Sequence, residues 1–94
     1  MIQTKAAEIE IANLLSSKLI LRSSVIDLFE KIEKTPEPEV VIDFESVSFM
    51  NHSFAHEYLF QKNKSQKMIS EIHLSDDVQK MLEITSRMHE SDFK

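Results

Sequence analysis

The sequence predicts a small α/β domain: a mostly parallel sheet of three to four strands with about three helices packed against it. Three observations lead to the α/β class. The run Glu39-Val40-Val41-Ile42-Asp43-Phe44 reads as a buried strand, apolar residues recur at helical spacing on both sides of it, and strand and helix signals alternate along the chain. Such alternation favours parallel strands joined by helical crossovers. The 94 residues suit one domain over 1–94, with a tail expected to fray from about 90.

Residues 1–21 are ambiguous. Ile9 and Ile11 alternate as in a strand near Glu8 to Ala12, yet Ala7, Ile11, Leu14 and Leu15 also fit a helix. Leu19 to Leu21 either joins the sheet or leads into the next helix. Val25, Leu28, Phe29 and Ile32 then place a helix over about 24–34, with Ser24 and Asp27 spaced as a capping box. Pro36 and Pro38 belong to the following loop, because proline lacks the N–H that a helix interior requires.

Three successive β-branched residues, Val40 to Ile42, predict the central strand, covered on both faces. Val47 and Phe49 alternate with polar residues before Asn51-His52-Ser53 interrupts the pattern. Phe54, Ala55, Tyr58 and Leu59 predict a helix over about 53–62. Met68, Ile69, Ile72 and Leu74 suit a short strand. Ser75-Asp76-Asp77 is a strong helix start, a capping hydroxyl followed by acids at the positive end of the dipole. The last helix carries a core stripe of Val78, Met81, Leu82, Thr85 and Met88.

Composition narrows the function. The chain has no cysteine, which removes disulfides, zinc–thiolate sites and cysteine nucleophiles. It has no glycine, which removes the Gly-rich loops that cradle phosphates in P-loop and dinucleotide-binding enzymes. Sixteen acidic against eleven basic residues give a formal charge of −5, which opposes binding to a nucleic-acid backbone. No run approaches the roughly 18 apolar residues of a membrane span, and no signal-peptide pattern opens the sequence, so the expected setting is cytoplasmic. No nucleophile–base pair or cofactor motif points to an enzyme, and no cofactor is expected.

From Val40 to Leu59 the chain reads VVIDFESVSFMNHSFAHEYL. This resembles the STAS-like domain family of unknown function, in which a hydrophobic strand ends in Asp-Phe, a Val follows, and a helix opens with Ser-Phe-Ala-Asp-Glu. Asp43-Phe44, Val47 and Ser53-Phe54-Ala55-His56-Glu57 match, with His56 in place of the usual Asp. Arg22-Ser23 resembles the family's entry to its first helix, and Leu74 to Val78 the turn that opens its last. The resemblance extends over about 9–88.

More distantly, the stretch is similar to STAS domains of the anti-sigma factor antagonist type. There a hydroxyl at the helix start is phosphorylated by a partner kinase that is also the anti-sigma factor, and Ser53 occupies that position. Asn51, His52 and Phe54 depart from the acid, Ser and Gly that surround it in those domains. The resemblance implies a prokaryotic regulatory module whose partner is an ATPase of the histidine-kinase type or an anti-sigma-like factor; the chain itself is expected to be a monomer or weak dimer. A small-ligand or nucleotide sensor is the alternative.

Each candidate residue carries two readings. Ser53 is either the N-cap of its helix or a phospho-acceptor, whose phosphate would meet free N–H groups and the helix dipole. Asp43 either caps the turn after its strand or shapes a polar site beside Ser53, since ligands gather at the carboxyl ends of parallel strands. His52, His56 and Glu57 lie near one another at a helix start, but they lack a metal-binding pattern and are expected to face solvent or a partner. Phe60 points to the side of Ser53, His56 and Glu57, where it is either covered by a loop or anchors a partner. Arg22 forms a surface ion pair or holds a partner's carboxylate or phosphate. Asn51 completes the expected contact face.

Overall fold

The computed structural model describes residues 6–92. Its elements follow in order: β1 (Ala7–Glu10), α1 (Ile11–Leu14), β2 (Lys18–Leu19), α2 (Arg22–Lys34), β3 (Glu39–Asp43), β4 (Phe49–Met50), α3 (His52–Lys64), β5 (Met68–Ile72) and α4 (Asp76–Asp92). The fold is α/β as expected. A parallel sheet of order β1-β3-β5 is accompanied by a second, two-stranded parallel sheet, β2-β4. The tail expected to fray over 90–94 is helical as far as Asp92, and 93–94 lie outside the described residues.

The ambiguous opening contains both of its alternatives in succession. Ala7–Glu10 is a strand, and at Ile11 the chain turns directly into a one-turn helix that buries Ile11 fully. Lys18–Leu19 then joins neither the main sheet nor the helix, but pairs with Phe49–Met50.

Register explains the core. In a parallel pair, matched residues share a face. Ile9 lies beside Ile42, and Val40 beside Ala7 and Ile69. That face is covered by α2, α3 and α4 through Val25, Leu28, Phe29, Ile32, Phe54, Ala55, Tyr58 and Val78. Phe44, just past the central strand, meets Tyr58 edge-on at 6.2 Å between centroids, and Tyr58 meets Phe29 at 5.8 Å. The Tyr58 hydroxyl donates to Glu71 at 2.5 Å, and Glu71 also receives Lys62 at 2.8 Å, so the one carboxylate on the helical side of β5 is satisfied.

Several local expectations need correction. β3 is covered on one face rather than two: Val40 and Ile42 are fully buried, while Glu39 and Val41 are only partly covered. The first long helix begins at Arg22, with Leu21 as its N-cap and no side-chain cap, so Ser24 and Asp27 lie inside it and form no capping box. Met88 is about half exposed (49%) and is not a core residue, whereas Thr85 is fully buried and donates to Met81 Sδ at 3.6 Å. The start of α4 is as expected, with Ser75 Oγ accepting from Val78 N–H at 3.3 Å and Asp76 and Asp77 in the first turn.

Candidate functional site

The site grows from the way β2-β4 holds the starts of α2 and α3 together. Asn51 is its centre. Its backbone N–H donates to Leu19 carbonyl oxygen at 3.0 Å, and its side-chain Nδ2 donates to Ile20 carbonyl oxygen at 3.1 Å. Its Oδ1 accepts from Phe54 N–H at 2.9 Å, which makes Asn51 the N-cap of α3. One side chain thus caps a helix and ties it to the segment leading into α2.

Ser53 is therefore not the cap. The helix begins at His52, one residue earlier than expected, because the Asn51 amide reaches the third N–H of the first turn. Ser53 becomes an exposed first-turn residue, its hydroxyl available to solvent.

Arg22 and Glu57 are brought together across the same gap, with Nη2 of Arg22 3.1 Å from Oε1 of Glu57. Gln61 donates to the other oxygen of Glu57 at 2.8 Å. The Gln61 bond first, and then the guanidinium, hold the Glu57 carboxyl below its ordinary range. The rings of His52 and His56 lie 6.1 Å apart between centroids and are tilted by 39°, and His56 is half-buried rather than freely solvated. Phe60, half-buried, lies under the Lys64 ammonium at 5.1 Å.

Around this polar group lie apolar side chains that sequence reasoning left out of the site. Ile20 is 49% exposed, Leu21 59% and Phe49 46%, all on or beside the β2-β4 pair. An open groove of about 350 Å³ runs between Leu15, Leu19, Ile20, Leu21, Ser24 and Phe54. The available signal was weak: Ile20 and Leu21 continue an apolar run past a strand of only two residues.

Asp43 finds its partners at the end of the main sheet. Its Oδ1 accepts from Glu45 N–H and lies 2.9 Å from His73 Nδ1, which fulfils the turn-capping reading. The Glu45 bond first, and then His73, hold the Asp43 carboxyl below its usual range; Asp43 in turn raises His73. His73 adopts φ 58°, a left-handed conformation costly for a residue with a Cβ, as does Ser46 at φ 70°. Among the described residues, the grouping whose ligand-type atoms come close, within 4.8 Å, is Asp43, Glu45 and His73, not the histidines of α3. His73 escaped sequence reading because only the register that sets Asp43 beside Ile72 brings it there.

Among the described residues, no helix is long and apolar enough to cross a membrane. Compared with protein-family models, curated proteins and solved structures, the chain matches none.

Proposed function

We propose that this chain is a non-catalytic regulatory domain that binds a protein partner through the joined starts of α2 and α3. The observation that carries the reading is the exposure of Ile20, Leu21 and Phe49 beside the Asn51 cap and the Arg22–Glu57 pair. Exposed apolar side chains next to fixed polar groups have the composition of an interface, an apolar centre with a polar rim. Asn51, His52, Ser53, His56 and Glu57 supply the rim, with Arg22 opposite and Phe60 further along α3.

The resemblance of Val40 to Leu59 to STAS-like domains supplies the class of partner, an ATPase of the histidine-kinase type or an anti-sigma-like factor. It also proposes Ser53 as the switch. Ser53 lies four residues before Glu57, so the two share a helix face. A phosphate on Ser53 would bring nearly two negative charges to the first turn and compete with Glu57 for Arg22. The polar rim would change without disturbing the Asn51 cap.

The test is capture of the tagged chain from native lysate beside Leu21→Asp and Ser53→Asp variants. The reading expects the ATPase with the wild type and its loss with both variants. Capture that is the same for all three chains would exclude this surface.

A further inference from the structure

We infer that the face of the main sheet that no helix covers among the described residues is a second docking surface, one that receives a basic amphipathic helix. A purely parallel sheet is ordinarily covered on both faces by helices. Here α2, α3 and α4 all serve the face of Ile9, Val40, Ile42 and Glu71. The register places Glu8, Val41 and Ser70 in one row of the other face, Glu10, Asp43 and Ile72 in the next, and Glu39 beside Met68.

Exposure across that face is uneven: Asp43 is buried at one end, where Glu45 and His73 hold it, while Glu8, Glu10 and Ser70 are exposed. Met68 is 67% exposed, and Val41 and Ile72 are only partly covered, which leaves an apolar strip on β3 and β5. A shallow depression of about 310 Å³ opens along it between Glu39, Val41, Met68, Ile69 and Ser70. Glu8 and Glu10 stand exposed along one side, with Glu39 at one end. An apolar strip bordered by carboxylates is a half-finished layer of the fold.

Charge decides the occupant. A second copy laid face to face would set Glu8, Glu10 and Glu39 against their own counterparts, and an anionic membrane or nucleic acid meets the same repulsion. A helix with leucine-like residues on one side and Lys or Arg beside them would cover Val41, Met68 and Ile72 and pair with the three glutamates. Parallel sheets are covered by helices, so a helix rather than an added strand fits this face. The surface lies on the opposite side of the sheet from the helices and is independent of the function proposed for α2 and α3.

The experiment titrates the isotope-labelled full chain with two synthetic helical peptides, one with a leucine stripe flanked by lysines and one with glutamates in their place. The lysine peptide is expected to shift the amides of Glu8, Glu10, Val41 and Ser70. Reversing the charges of exposed Glu8 and Glu10 and half-buried Glu39 (Glu8→Lys, Glu10→Lys, Glu39→Lys) is expected to weaken it at least about tenfold, equivalent to roughly 1.4 kcal/mol. Shifts confined to α2–α4, equal binding by the glutamate peptide, or undiminished binding to the charge-reversed chain would overturn the inference. So would a dimer of the free chain in sedimentation with the same face shifted, which would assign the surface to a second copy.

Discussion

Arg22 and Glu57 bridge the first turn of α2 to the second turn of α3, with 3.1 Å between Nη2 and Oε1 across 35 residues of sequence. The guanidinium stays 65% exposed while the carboxylate is mostly covered, so one end of the pair is fixed by Gln61 and the other is free to exchange partners. An ion pair with one end this exposed contributes little to stability.

Arg22→Ala is accordingly expected to cost less than about 1 kcal/mol in urea unfolding, the usual range for an exposed ion pair. On the reading proposed here, the same change weakens capture of the partner by about tenfold, or roughly 1.4 kcal/mol. A large stability loss with unchanged capture would make Arg22 a structural residue.

Asn51 and Ser53 separate cap from switch. Asn51→Ala removes the acceptor for Phe54 N–H and the donor to Ile20, and is expected to cost about 1–2 kcal/mol. Ser53→Ala touches an exposed hydroxyl outside the cap and is expected to stay within about 0.5 kcal/mol of wild type. Denaturation midpoints of the two variants check both numbers, and the reverse order would restore Ser53 as the cap.

Tyr58 anchors α3 to β5. Its hydroxyl is buried and bonded to Glu71, and burial first, with the adjacent carboxylate second, pushes its ionisation well above the ordinary phenol range. Tyr58→Phe is expected to cost about 1–3 kcal/mol, since Glu71 loses a buried donor. Ultraviolet titration of the wild type is expected to show no phenolate until the chain unfolds in alkali; a normal phenol titration of the folded chain would contradict the burial.

The Asp43–His73 pair gives a pH signature. Asp43 is held below its ordinary 3.8, so its contribution is present above that value and is lost as pH falls through the lowered folded value. His73 is raised above 6.5, so its contribution is complete below 6.5 and is lost as pH rises through the raised folded value. The stability difference between wild type and His73→Ala is therefore expected to be largest between 3.8 and 6.5 and to shrink on either side. A difference that grows towards alkaline pH would contradict the pairing.

Where a few neighbouring residues decide the structure, it is legible in the sequence. Val40 to Ile42 announce the central strand, Ser75-Asp76-Asp77 announces α4, and the apolar spacing of α2 marks its buried face. Legibility fails where the decision is tertiary. Ile11 ends a strand and begins a helix within one residue, which no window of periodicity separates. Asn51 prevails over Ser53 as the cap because its amide also reaches Ile20, a partner 31 residues away. The uncovered side of β3 is hidden by the same run of β-branched residues that makes the strand obvious. Of the site, Arg22 and Glu57 are both legible as candidates in the sequence, but their contact depends on the β2-β4 pair, whose two-residue strands leave almost no pattern.

The measurement that bears on the proposed function is hydrogen exchange on the captured complex, compared residue by residue with the free chain. New protection is expected over 18–22 and 49–57, around Leu21, Asn51 and Ser53, and its loss when the Ser53→Asp chain is offered to the same partner. Protection that leaves those segments unchanged would contradict the claim that the starts of α2 and α3 form the regulatory contact.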